Sequence, residues 1–255
     1  MLRLHYNLEK LSMGLVVGII VVASIGGLVE IAPLFTIERT VDIPEDLRPQ
    51  TPLELAGRDI YMREGCYACH SQMIRTLADE IDRYGPYSVA GESAWDFPML
   101  WGSKRTGPDL ARLGEKYSDD WHVAHLIDPR DVVPASIMPA YPWLMRPLET
   151  GRLSGDLATL ARLGVPYDEG MVANAARDAA GQAMPDSDAA AGFAERHGER
   201  PAVRAFDGDP GRLTEMDALV AYLQSLGRLT DVVHAGAQDA ADDGTPDGAG
   251  NEGES

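Results

Sequence analysis

From Leu11 to Val29 the chain runs without a charged residue and is filled mainly by Leu, Val, Ile, Gly and Ala. At a helical rise of about 1.5 Å per residue, such a run matches a hydrocarbon core about 30 Å thick, so the pattern predicts a membrane-spanning helix. The apolar character resumes after Glu30 through Ile31, Ala32, Pro33, Leu34 and Phe35. Cleaved secretory signals carry a shorter apolar stretch of about 7–15 residues, so residues 11–35 read as an uncleaved anchor. Further on, the periodicity becomes that of short helices. Leu53 to Glu64 sets Leu55, Ile60 and Tyr61 on compatible helical faces, and Gly65 stops the helix. Asp119 to Ile127 and Glu169 to Gln182 read as further short helices. In the last one, Thr214 and Asp217 take capping-box positions, Met216, Leu219, Val220, Leu223 and Leu226 recur at helical spacing, and Gly227 is the C-cap. The expected class is all-α, a single N-terminal transmembrane helix followed by a helical domain with long loops. Residues 1–10 precede the anchor, 36–50 form a linker, and 51–228 form the domain, with 165–211 as an Ala-, Asp- and Gly-rich loop insertion of no legible chemistry. Residues 229–255 carry Asp239, Asp242, Asp243, Asp247, Glu252 and Glu254 without Lys or Arg, a composition that buries no core and predicts an acidic disordered tail.

Charge orients the anchor. Arg3 and Lys10 flank its start, whereas Glu30, Glu38, Asp42, Glu45 and Asp46 follow it against only Arg39 and Arg48. The positive-inside bias puts the N-terminus in the cytoplasm and the domain across the membrane. Gly14 and Gly18 form a small-xxx-small face for helix contact, although glycine is common in membrane helices in any case. Glu30 marks the membrane boundary. With 22 basic and 40 acidic residues, the formal net charge of -18 excludes the basic face that nucleic-acid binding needs. It suits a soluble domain that meets a cationic partner, while the tail's share reads as solubility.

Both cysteines of the chain fall in Cys66-Tyr67-Ala68-Cys69-His70. Two thiols separated by two residues can each add to a vinyl group of one porphyrin while the next imidazole meets the iron, the attachment pattern of haem c. Other readings exist. A thioredoxin-like dithiol wants a βαβ pattern, which is not visible. A zinc site from Cys66, Cys69, His122 and His125 has an unusually tight histidine pair and leaves His70 unexplained. A Cys66–Cys69 disulfide closes a very short loop and stabilises little.

A haem iron needs a sixth ligand or an open position, and a thioether raises the potential where a second imidazole lowers it. Met138 lies in the proline-rich stretch Val133 to Pro142, which can hold a side chain rigidly. Met99, Met145 and Met184 are weaker candidates, and Met73 is too near His70 to reach the opposite face. His122 and His125, one turn apart, compete as ligands. Gly107-Pro108-Asp109-Leu110 resembles the Gly-Pro-x-Leu element of class I cytochromes c, whose carbonyl accepts the proximal imidazole N–H. The helices bracketing the motif likewise resemble the crossed terminal helices of that family, which makes Gly57, Tyr61 and Tyr222 expected contact residues.

Longer stretches carry a more specific resemblance. Leu100 to Leu110, Tyr117 to His122, Asp128-Pro129-Arg130, Met138 to Leu144 and Thr214 to Leu219 are similar to the monohaem subunit II of cbb(3)-type cytochrome c oxidases, the FixO/CcoO family. The likeness spans most of residues 5–228 and fails in 165–211 and the tail. It implies a bacterial inner-membrane subunit with a periplasmic domain and one covalent haem c. Cys66 and Cys69 would attach the haem, His70 and Met138 would be the axial ligands, and Gly107 and Pro108 would support the proximal imidazole. Trp101 and Arg105 would be haem or interface contacts, with an interface calcium at Gly102 or Ser103; Lys104 and Arg105 facing propionates or solvent is the plainer alternative. The implied partners are a large haem–copper catalytic subunit that reduces oxygen to water, a dihaem cytochrome c subunit and a soluble cytochrome c. The chain would be a non-catalytic electron carrier within an oxidoreductase complex. A single Cys-x-x-Cys-His excludes the dihaem subunit, and the want of further cysteines excludes a binuclear copper site. Competing functions are the small subunit of a nitric oxide reductase, another anchored monohaem carrier, a haem-based sensor with an exchangeable iron site, and a zinc-stabilised adaptor.

Overall fold

A computed structural model describes residues 10–35 and 41–231. Arg3, Glu38, Arg39 and the acidic stretch from 232 onward lie outside the described residues. The chain divides into two compact units, residues 1–42 and 43–255.

The first unit holds α1, Ser12–Ile31, extended by a 3-10 turn over Ala32–Phe35. The two make a continuous apolar helix of 24 residues with mean hydropathy 2.5 and no buried residue. Every face of α1 is apolar, so it has no polar side to turn toward water and suits lipid on all sides.

The second unit is helical, and the described residues form no strand beyond an isolated bridge between Pro147 and Thr214. Its frame is the crossing of α2, Pro52–Arg63, with the last helix, Glu215–Ser225. Both start on reciprocal caps. Thr51 accepts from the Glu54 amide while the Glu54 carboxylate accepts from the Thr51 amide, and Thr214 and Asp217 repeat the arrangement. Arg48 closes on Glu54 with two bonds of 2.7 and 2.8 Å. At the crossing, a Cβ on Gly57 would sit 1.9 Å from the Ala218 carbonyl oxygen and 2.7 Å from the Tyr222 Cβ, so only glycine lets the backbones meet. The Tyr61 and Tyr222 rings pack beside it, centroids 5.6 Å apart. The expected contact residues are thus in contact.

Between these helices run α3, Ala78–Tyr84; α4, Asp119–Ile127; α5, Pro129–Val132; α6, Leu153–Arg162; α7, Glu169–Ala183; and α8, Phe193–His197; the last helix is α9. The 165–211 segment, expected as a loop insertion with a short helix, carries α7 and α8. α7 turns Ala175, Ala179 and Ala183 into the core, and Val165, Tyr167 and Phe206 join them. Thr51 donates to Gln182 Oε1 at 2.6 Å, and Tyr167 donates to the Gln50 carbonyl at 2.8 Å. The fully buried Asp178 is held by Arg196 and by His197 Nε2 at 2.9 Å. Alanines spaced by four give little hydrophobic contrast in a sequence yet allow close helix approach, so the pattern shows the helix but not its place in the core.

Candidate functional site

The end of α2 delivers the cysteine motif. Gly65 takes the left-handed conformation at φ 75°, and Cys66–Ala68 then folds as a 3-10 turn. The amides of Cys69 and His70 both donate to the Cys66 carbonyl, at 3.1 and 3.0 Å, which gathers the pentapeptide into one compact corner. Cys66 and Cys69 are free thiols. Cys66 is half-buried, and burial, aided by the charge of Glu64, pushes its thiol up to about 11.

The Gly107–Leu110 segment lies against His70. His70 Nδ1 is 2.9 Å from the Pro108 carbonyl oxygen, which assigns the proton to Nδ1 and leaves Nε2 as the nitrogen free to bind a metal. Gly107 donates to the Cys69 carbonyl and Leu110 to the Ser71 carbonyl, each at 2.9 Å. A Cβ at Gly107 would lie 2.3 Å from His70 Cε1, so the ring rests on the bare glycine. Burial lowers the His70 pKa, partly opposed by the Pro108 carbonyl and Asp109. Tyr61 adds a hydroxyl to the His70 carbonyl at 3.3 Å.

Asp109 was not singled out from sequence, yet it is the hub of this corner. It accepts from Ser71 Oγ at 2.5 Å, the Met73 amide at 3.0 Å and the Ala111 amide at 2.8 Å. Its place inside the Gly-Pro-x-Leu element was the available signal. Arg105, expected as a haem or interface contact, is engaged within the domain. Its guanidinium turns inward to Ser71 Oγ at 2.7 Å, the Met73 carbonyl at 2.9 Å and Glu80 at 2.8 Å, and lies 5.1 Å above the Tyr84 ring. Arg105, with Arg75, holds the Glu80 carboxyl well below the usual range, so the cation is engaged inside the domain.

Trp101 remains 41% exposed, its indole donating to Ser93 Oγ at 3.1 Å. With Met62, Tyr67, Pro98, Met99 and Leu100 it lines a cavity of about 360 Å³ beside the thiol motif. Gly102 is open, and among the described residues no group of three His, Cys, Asp or Glu side chains gathers to hold a metal. A calcium at Gly102 or Ser103 would therefore need oxygens from outside that set.

Met138 is partly buried against the core cluster, and its amide donates to Ser136 Oγ at 3.2 Å. The segment that follows is fastened twice. The Tyr141 amide donates to the Leu126 carbonyl at 2.7 Å, and the Trp143 indole to Glu64 Oε2 at 3.3 Å, next to the thiol motif. Burial first, and then the Cys66 and Cys69 thiols, raise the Tyr141 pKa, which sets this segment on the motif's side of the domain. Among the other methionines, Met99 is exposed, Met145 packs on the core, Met184 ends α7, and Met73 is bound through its amide to Asp109.

α4 is capped by Ser118, which accepts from the Trp121 amide. Tyr117, Trp121 and His125 stack face to face along it, with centroids 4.0 and 4.6 Å apart. Burial brings His122 down to about 4 and lowers His125, on which the His70 charge acts as well.

A free dithiol, an imidazole tied by Nδ1 and a glycine floor make a coherent donor set for haem c. The family model described as cytochrome C oxidase, mono-heme subunit/FixO matches residues 5–230. The chain belongs to the FixO family. As a FixO chain it is a monohaem subunit of a cytochrome c oxidase, hence part of an oxidoreductase complex with partner subunits, and the family implies haem c. No curated protein matches the sequence. The FixO match runs through α1 and through the 165–211 segment, so the packed wall built by α7 lies within the family's extent.

Proposed function

We propose that this FixO chain is the electron-relay subunit of a cbb(3)-type oxidase, passing single electrons from a dihaem subunit or a soluble cytochrome c to a haem–copper subunit that reduces oxygen. Bound haem c supplies a one-electron iron couple. Cys66 and Cys69 would hold the porphyrin by thioether links, and His70 Nε2 and the Met138 sulfur would bind its iron. The Pro108 carbonyl accepts a hydrogen bond from Nδ1–H and so fixes the ring and raises its basicity toward iron. Gly107 sets the ring's plane, and Asp109, Ser71 and Arg105 brace the loop beneath. A thioether ligand favours the reduced iron and suits electron transfer. Residues 11–35 anchor the chain in the bacterial inner membrane, with the N-terminus cytoplasmic and the haem domain periplasmic. Trp101, with Gly102 and Ser103, meets the catalytic subunit, where a shared calcium would bind.

The observation that carries this reading is His70, locked by Pro108 and Gly107 beside two free thiols. The test is a purified complex containing this chain. Oxygen uptake supported by reduced cytochrome c, abolished by His70→Ala while the catalytic subunit keeps its own haems, is the expected result. A complex that reduces only nitric oxide refutes the oxidase assignment.

A further inference from the structure

The loop that seats His70 is held from α3, a helix that carries no part of the cysteine motif. Glu80, buried on α3, grips two arginine residues at once. Its Oε2 accepts from Arg105 Nη2 at 2.8 Å and from the Arg75 amide at 2.9 Å, and Arg105 Nη1 lies 2.8 Å from Oε1. Tyr84, one turn further along α3, places its ring 5.1 Å from the same guanidinium. The guanidinium so fixed directs its other donors at the loop. Nε donates to Ser71 Oγ at 2.7 Å, and Nη2 reaches the Met73 carbonyl at 2.9 Å and Asp109 Oδ2 at 3.3 Å. Ser71 follows His70 and Asp109 follows Pro108 in the chain, and Ser71 donates to Asp109 at 2.5 Å. The Leu110 amide adds a second tie to the Ser71 carbonyl at 2.9 Å. A continuous series of bonds therefore runs from Glu80 through Arg105 to the two residues adjoining the 2.9 Å contact between His70 Nδ1 and the Pro108 carbonyl. Charge-assisted bonds are roughly twice as strong as neutral ones, and a planar guanidinium imposes a geometry that a point charge cannot.

We propose that Glu80 and Arg105 are positioning residues for the proximal imidazole, setting the register between the His70–Ser71 and Pro108–Asp109 segments and, through it, the reduction potential of the bound haem. The inference rests on the haem assignment above. A carbonyl held close to Nδ1–H makes the imidazole a stronger donor toward a metal, which favours the oxidised iron. Slackening the brace lengthens that hydrogen bond, weakens the donor and moves the midpoint potential upward. α3 thus acts on the electron carrier without touching it.

The test uses the full-length mature chain as wild type, Glu80→Gln, Arg105→Gln, Arg105→Lys and Asp178→Asn, with redox titration and the NMR signal of the His70 Nδ1 proton in the reduced chain as readouts. Charge acting through space would move the first two variants in opposite directions, because Glu80→Gln removes a negative charge and Arg105→Gln a positive one. Positioning moves both potentials upward. Arg105→Lys should rise with them, since an ammonium keeps the charge but cannot span Glu80, Ser71 and Met73 together. In all three the Nδ1 proton should exchange with solvent faster than in wild type. Asp178→Asn breaks a buried ion pair whose partners are Arg196 and His197, and should lower Tm with the potential unchanged. Opposite shifts in the two Gln variants, wild-type potentials, an unaltered Nδ1 proton, or an equal upward shift in Asp178→Asn each overturn the proposal. Should the Gln variants fail to mature, Arg105→Lys decides: an upward shift supports the proposal and a wild-type potential refutes it. Failure of the haem assignment itself is distinct, because the wild-type chain would then carry no covalent haem.

Discussion

Gly107→Ala probes the proximal side with a single carbon. The new Cβ would stand 2.3 Å from His70 Cε1, 2.7 Å from Nδ1 and 2.8 Å from Nε2. That is about 1 Å short of ordinary contact, so the imidazole or the Gly107 backbone must move by that amount. Gly107 has no positive φ, so alanine meets no backbone strain there and the effect isolates the ring contact. A shift of about 1 Å carries the 2.9 Å Nδ1–Pro108 contact past hydrogen-bonding range. Overpacking typically costs about 1–3 kcal/mol and the lost hydrogen bond about 1 kcal/mol more. For a domain of this size, each kcal/mol lowers Tm by roughly 2–4 °C, so a fall on the order of 5–15 °C is expected. Thermal melts of the mature chain, read beside the ferric spectrum and the midpoint potential, measure both consequences. The spectrum should show a disturbed proximal ligand and the potential should shift, because the ring loses its carbonyl partner. A Gly107→Ala chain with wild-type Tm, spectrum and potential would refute the claim that this glycine seats the imidazole.

Gly57→Ala puts a Cβ 1.9 Å from the Ala218 carbonyl oxygen, a rigid backbone atom, and should prevent the α2–α9 crossing; soluble expression followed by circular dichroism reads the loss. Thr51→Val removes the α2 cap and strands Gln182 Oε1, for a destabilisation of about 2–4 kcal/mol by denaturant unfolding. Burial, together with the neighbouring Asp207, raises the Asp217 carboxyl to about 6 from 3.8. The folded state therefore binds this proton more readily than the unfolded chain, and the group's contribution grows as pH falls from about 6 toward 4, on the order of 2 kcal/mol. The difference in stability between wild type and Asp217→Asn, followed across that window, should change by this amount, and a flat difference contradicts it. Met138→His should keep the covalent haem but lower the midpoint potential in a redox titration, and an unchanged potential would remove Met138 as a ligand.

What the sequence disclosed depended on the range of the interaction. The cap at Thr214, the stop at Gly65 and the span of α1 are local, governed by residues within a turn of one another, and each is found where the pattern put it. The Gly57 crossing was legible through the likeness to paired terminal helices. The brace beneath His70 was not, because Arg105 reaches back to Glu80, Ser71 and Met73, and nothing in the local pattern distinguishes an inward guanidinium from a solvated one. α7 was half legible. Its span was anticipated, but an alanine face gave no sign that it seals the core against α2. The spacing of His122 and His125 was visible from the start, whereas the different contacts of the two rings with Trp121, edge-on for His122 and stacked for His125, need the fold.

Intact-mass measurement of the mature chain tests the central claim most directly. Chain purified from cells with haem-maturation machinery should carry the mass of exactly one haem, retained under denaturation and lost only when Cys66 and Cys69 are both replaced by alanine. A mature chain at bare polypeptide mass, with both thiols still open to alkylation, would contradict the account.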